Sequence, residues 1–268
     1  MYDYLDESFR KEESSEYKLS IQVSLNGFSF CIRKPDNGSL LVFKHTALKI
    51  SNEQLLTRRL EDWILEEELL QQKYKSQEII VLSNHFTLLP ANLDDEQIYS
   101  DTIRLLFSTQ TEDYSISKIK QLNANLLFLV SQELKKMLNE KFEVFQLKHG
   151  VEKLIQKEES EEDGKQVRIF FDEKDLYIVY FNEQELMLCN AFSIKHANDV
   201  VYYALTALKQ FQVPLSNTPL CIAGKSTYMN DSWQMLEKYF RSVDYFVPYV
   251  RHNTGVDQKT LSEYPCLF

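Results

Sequence analysis

Positions 17–24 alternate in character, with Leu19, Ile21, Val23 and then Leu25 on one side and Lys18, Ser20, Gln22 and Ser24 on the other. A period of two marks a half-buried strand. Asn26-Gly27 is the favoured two-residue hairpin turn, positions 28–33 read as a second strand, Pro35-Asp36-Asn37-Gly38 turns the chain again, and 40–44 reads as a third. The pattern predicts a three-stranded antiparallel meander.

Ser51 with Gln54 three residues later forms a capping-box signature. The stretch that follows, to about position 73, carries Leu56, Leu60, Trp63, Glu67 and Leu70 near helical spacing. Positions 78–82 are a short apolar strand. Beyond Pro90, positions 94–107 open with acids and predict a second helix. Positions 125–130, 132–139 and 142–147 then predict a strand, a helix and a strand.

Positions 157–166 contain no apolar residue and read as an exposed link. Past it the opening pattern returns: strands at 167–172, 176–181 and 185–191, a helix at 198–211 on Val200, Val201, Ala204, Leu208 and Phe211, a strand at 219–223, a helix at 230–240 and a closing strand at 245–247. Ile21 and Phe30 stand at the same offset as Ile169 and Ile178, which supports a structural duplication. The expected layout is a polar N-terminal segment 1–16, a first half 17–156, a charged linker 157–166, a second half 167–248 and a tail 249–268. The tail ends in Tyr264-Pro265-Cys266-Leu267-Phe268, which either anchors back onto the body or docks elsewhere.

Composition narrows the chemistry. The 268 residues are 44% hydrophobic and 26% charged, enough for packed cores without metals or disulfides. A net charge of −10 argues against nucleic acid as a partner, because that binding draws on clustered Lys and Arg. The same charge disfavours an anionic membrane surface, and no run approaches the length of a membrane span, so no membrane insertion is expected. Cys31, Cys189, Cys221 and Cys266 are far apart and read as free thiols, three of them in apolar strands, which places the chain in a reducing cytoplasm. Only six glycines occur, where an average chain would hold about three times as many. That shortage limits phosphate cradles, which need close backbone approach.

The duplicated meander, helix and further strands resemble the actin-like ATPase fold, an α/β architecture whose halves are ribonuclease H-like, each a mixed sheet with flanking helices. Ile80-Val81-Leu82-Ser83-Asn84-His85-Phe86-Thr87-Leu88-Leu89-Pro90, an acidic helix, and Asn125-Leu126-Leu127-Phe128-Leu129-Val130 resemble the pilus-assembly and secretion branch of that superfamily. More narrowly, the chain resembles an uncharacterised Bacteroidetes family, a domain of unknown function with an actin-like fold.

The resemblance implies a nucleotide cleft between the halves, with an Asp-x-Gly-type turn opening each half to wrap phosphates. In the first half that turn reads Ser24-Leu25-Asn26-Gly27, which keeps a glycine and lacks the acid. In the second it reads Asp172-Glu173-Lys174-Asp175, which keeps an acid and puts Lys174 where glycine should stand. Lys174 either offers phosphate a point charge or sits in a solvated hairpin turn. A Gly-Gly turn for adenosine falls at Ala223-Gly224-Lys225-Ser226, with one glycine left. The same Gly224-Lys225-Ser226 is similar to the end of a P-loop, but Pro219 replaces the first glycine of that motif. Amides at the start of the next helix remain able to hold an anion.

Other chemistry is sparse. His45, His85, His149, His196 and His252 occur singly, without metal-ligand spacing, and no G-x-S-x-G elbow is present. Aromatics such as Tyr177, Tyr180, Phe181, Tyr202, Tyr203 and Phe211 read mostly as core, with a minority available to a protein partner. The leading expectation is a non-catalytic scaffold or interaction module, a pseudo-ATPase without cofactor that holds a protein partner. The alternative is a nucleotide-binding switch or weak ATPase using ATP and magnesium, in which Asp172, Lys174 and the 224–226 turn act from opposite sides of a cleft on which Asn26, Asp172 and Gly224 converge. An enzyme of unrelated chemistry is a third class, for which the sequence names no substrate.

Overall fold

The computed structural model describes residues 3–108, 113–156, 165–247 and 256–268. The chain divides into two compact units, with the break between Gly150 and Val151. Residues 151–156 therefore group with the second unit rather than with the first half. Of the segment read as a linker, 157–164 lies outside the described residues, and Lys165 and Gln166 already belong to a strand.

The first unit runs β1 (Tyr4–Leu5), β2 (Lys18–Ser24), β3 (Gly27–Arg33), β4 (Leu40–Ala47), α1 (Glu53–Glu66), β5 (Ser76–Val81), β6 (Phe86–Pro90), α2 (Glu96–Phe107), β7 (Tyr114–Ile119), β8 (Ala124–Leu129), α3 (Gln132–Lys141) and β9 (Gln146–His149). Its main sheet has the order β1-β4-β3-β2-β5-β9, with β2 antiparallel to β3 and parallel to β5. Because β2 is central, both its faces are covered: Ser20, Gln22 and Ser24 are buried along with Leu19 and Ile21. The half-buried strand read from its alternation is corrected on this point. The apolar face packs on α1, whose Trp63 ring lies 5.4 Å from Phe28 and 5.9 Å from Phe30.

α1 is also shorter than its apolar spacing suggests. Asn52, not Ser51, caps it by accepting from the Leu55 N–H at 2.9 Å. The helix ends at Glu66, because Glu67 turns inward to an ion pair with Lys44 on β4. The strand expected at 142–147 forms later, as β9.

A second, three-stranded sheet, β6-β8-β7, went unread apart from β8. β6 carries Phe86, Leu88 and Leu89 but is five residues long and ends in Pro90, and β7 mixes serine and lysine with isoleucine, so neither was read as a strand. Its core is Tyr99 and Ile103 of α2 against Leu127 of β8.

The second unit holds α4 (Val151–Leu154), β10 (Lys165–Asp172), β11 (Asp175–Asn182), β12 (Glu185–Ser193), α5 (Ala197–Lys209), β13 (Pro219–Lys225), α6 (Met229–Leu236), β14 (Ser242–Tyr245) and α7 (Gln258–Glu263). Its sheet order, β12-β11-β10-β13-β14, repeats β4-β3-β2-β5-β9 of the first unit element for element. The register repeats too. Ile21 faces Phe30 and Ile79 in one sheet, and Ile169 faces Ile178 and Ile222 in the other.

In this unit Val167, Ile169, Phe171, Leu176, Ile178 and Tyr180 form a core with Val200, Ala204 and Leu208 of α5 and Leu236 of α6. Arg168 lies on the alternate face and is 2% exposed. Its guanidinium donates to the carbonyls of Leu154 and Gln156, each at 2.7 Å, which ties α4 to β10. Within the tail, Leu261, Tyr264 and Cys266 are buried in this unit, and Leu267 groups with the first, where its carbonyl accepts from Cys31 Sγ at 3.4 Å.

Candidate functional site

The hairpin turn expected to be the second-half phosphate motif forms where the sequence places it. Asp172 pairs with Asp175 across Glu173 and Lys174, and Glu173 adopts a left-handed φ of 54°. The turn spends its polar groups on its own unit. The Glu173 N–H donates to the Lys225 carbonyl at 2.7 Å, its carbonyl accepts the Ser226 hydroxyl at 2.6 Å, and the Lys174 carbonyl accepts from Ile194 at 2.7 Å. The Lys174 side chain is exposed.

Parallel pairing of β10 with β13 sets Phe171 beside Gly224 and Asp172 beside Lys225. Asp172, Lys174, Gly224, Lys225 and Ser226 are thus brought together at one end of a single sheet. Gly224 has a φ of +86°, and a Cβ there would stand 1.9 Å from the Phe171 carbonyl oxygen. A neighbouring strand, and no ligand, accounts for the glycine. Ser226 also accepts from the Tyr228 N–H at 3.2 Å, so its hydroxyl is used twice.

Lys225 is held by the tail. Its Nζ lies 2.9 Å from the Glu263 carboxylate and donates to the Tyr264 hydroxyl at 2.9 Å, 4.8 Å from that ring's centroid. Burial pulls its pKa down, but the bonds to Tyr264 and Glu263 outweigh burial and hold it above the ordinary lysine value. Cys266 is fully buried two residues further on, and burial pushes its thiol pKa up, with Lys153 opposing and Asp172 adding. Burial likewise pushes the Cys189 thiol up to about 12.

In the first unit the turn residues are Leu25 and Asn26, with Gly27 paired to Ser24, one position earlier than the Asn26-Gly27 turn expected. The Asn26 N–H donates to Ser24 Oγ at 3.0 Å, while the carbonyls of Leu25 and Asn26 accept from Ile50 at 2.8 Å and Leu48 at 3.1 Å. A Cβ on Gly27 would meet the Thr46 carbonyl at 2.3 Å. The chain beyond β4 folds over this turn, and the glycine serves that packing.

Glu263 escaped the sequence reading, since a carboxylate in a polar stretch carries no local sign of a lysine 38 positions earlier, and Tyr264 was read only as part of the tail's apolar end. Arg168 left a faint one, a lone charge inside an apolar strand. Among the described residues no three His, Cys, Asp or Glu side chains gather as metal ligands, and no helix is long and apolar enough to cross a membrane. His252 lies outside the described residues.

Two units of one sheet order, each opened by a meander, define an actin-like ATPase fold. A structure from Bacteroides thetaiotaomicron, a protein with that fold and of unknown function, superposes with a TM-score of 0.80 at 23% identity, covering 89% of this chain and 93% of its own. PilM in the PilM–PilN type IV pilus biogenesis complex gives 0.59 at 11% identity, over 93% and 96%. No curated protein matches. The chain belongs to the DUF3822 family of proteins of unknown function, whose model matches residues 6–243.

Proposed function

We propose that this chain is a non-catalytic actin-like protein that acts by holding a protein partner, its phosphate turns kept as structural joints. One observation carries the reading: the cation and hydroxyl best placed to meet a phosphate, Lys225 and Ser226, are bound by Glu263, Tyr264 and the Glu173 carbonyl. The first turn adds no acid to organise a metal or an attacking water, and its Asn26 amide is taken by Ser24. The likeness to a fold seen in a complex, PilM with PilN, supports a protein as the thing held.

The test is turnover. Purified full-length protein with millimolar Mg-ATP should release phosphate no faster than a blank. Magnesium-dependent hydrolysis that disappears in Asp172→Asn would replace this reading with the weak ATPase.

A further inference from the structure

β2 and β3 of the first unit and β10 and β11 of the second are the same hairpin built twice, with Ile21 opposite Phe30 in one and Ile169 opposite Ile178 in the other. The next register pair, on the opposite face of each sheet, is where the two units part. In the second unit it is Phe170 opposite Tyr177, two rings with centroids 5.4 Å apart. In the first it is Gln22 opposite Ser29. Both pairs are buried, Gln22 at 8% and Ser29 at 1% exposure, Phe170 at 3% and Tyr177 at 1%. An amide and a hydroxyl therefore stand where the duplicate packs two aromatic rings, and they fill less of a closed face.

The same two side chains carry unmatched oxygens. Gln22 Oε1 and Ser29 Oγ are buried, and neither meets a hydrogen-bond partner among the described residues. Their neighbours on β2 are satisfied: Ser20 Oγ accepts from Arg33 at 3.1 Å and donates to Glu78 at 3.4 Å, and Ser24 Oγ accepts from the Asn26 N–H at 3.0 Å. Buried polar atoms in folded proteins nearly always find a partner, in the protein or in an ordered water. Residues directly opposite in an antiparallel pair project to the same side, with Cβ atoms about 4.5–5.5 Å apart. One water, making two hydrogen bonds of about 2.8 Å each, bridges such a span.

We propose that a water molecule is built into this face, donating to Gln22 Oε1 and hydrogen-bonded to Ser29 Oγ, so that the first hairpin is joined through water where the second is joined through rings. A metal ion fits less well, since two neutral oxygens fall short of the six or more that a hard cation gathers. The site lies two residues from Ser24 and Gly27, the pair that closes the first turn. It holds the strands that carry that turn, and does so whether or not the turn meets a nucleotide.

A high-resolution crystal structure of the full-length protein tests it. An ordered water should lie within hydrogen-bond distance of both oxygens. Ser29 Oγ bonded directly to Gln22 Oε1, a cation in the water's place, or a dry contact would overturn the proposal. Urea unfolding gives a second readout. Ser29→Ala and Gln22→Met should each shift the folding equilibrium roughly fivefold toward the unfolded chain, because either change leaves the water and the remaining oxygen short of a bond. The double variant should cost less than the two singles combined, since they share one water. If Ser29→Ala instead stabilises the protein, the two oxygens are dry and the proposal fails.

Discussion

Lys225 Nζ and the Glu263 carboxylate stand 2.9 Å apart, and that contact ties the end of α7 to the end of β13. The lysine's raised pKa fixes the pH sense of the bond. Its contribution is whole below the unfolded lysine value near about 10.4 and fades as pH rises through the higher folded value.

Lys225→Met should therefore loosen the tail at neutral pH. Cys266, buried two residues beyond Tyr264, is the reporter: its labelling by a thiol reagent, isolated by comparison with Cys266→Ser, should quicken roughly threefold to fivefold. The deficit of Lys225→Met in unfolding free energy should shrink above the folded lysine pKa.

His149 predicts an acid weakness. It is fully buried against Phe86 and Phe128, at 4.9 and 5.3 Å, and donates from Nε2 to the Ser83 carbonyl at 2.8 Å. Burial lowers its pKa to about 4, against the Ser83 bond that raises it. A depressed histidine pKa means the unfolded chain takes up the proton first. Stability present above the unfolded value is lost as pH falls toward the folded one, on the order of 2 kcal/mol by pH 5. Urea unfolding at pH 7 and pH 5 should show this slope, and His149→Gln should flatten it.

Two glycines separate backbone crowding from backbone freedom. Gly38, with φ +72° and nothing near its missing side chain, should cost about 1–2 kcal/mol on change to alanine. Gly224→Ala must also displace the Phe171 carbonyl and should cost at least twice as much in chemical denaturation.

The sequence made these units legible unevenly. The meanders were plain because Leu19, Ile21 and Val23 alternate and turn residues punctuate them, and the offset from Ile21 to Phe30 proved to be a true register pair. Burial on the second face of β2 was hidden, since Ser20, Gln22 and Ser24 look solvated until β2 is known to be central. In the small sheet β8 was legible from its apolar run, whereas β6, five residues ending in Pro90, and β7, which mixes serine and lysine with isoleucine, were not. At the candidate site, the hairpin at Glu173-Lys174 forms where the sequence puts it and the first lies one residue earlier than expected, while their partners were hidden: Glu263 reaches Lys225 only through the fold. The tail's apolar end left two fates open, and within the described residues it packs back on the body.

Thermal unfolding of the full-length protein against rising Mg-ATP and Mg-ADP tests the central claim most directly, because a ligand that binds only the folded state raises its melting temperature by mass action. With Lys225, Ser226 and the Glu173 backbone already committed, the melting temperature should not move at millimolar nucleotide. A saturable, magnesium-dependent rise, abolished in Asp172→Asn, would contradict the account and show that the turns still hold phosphate.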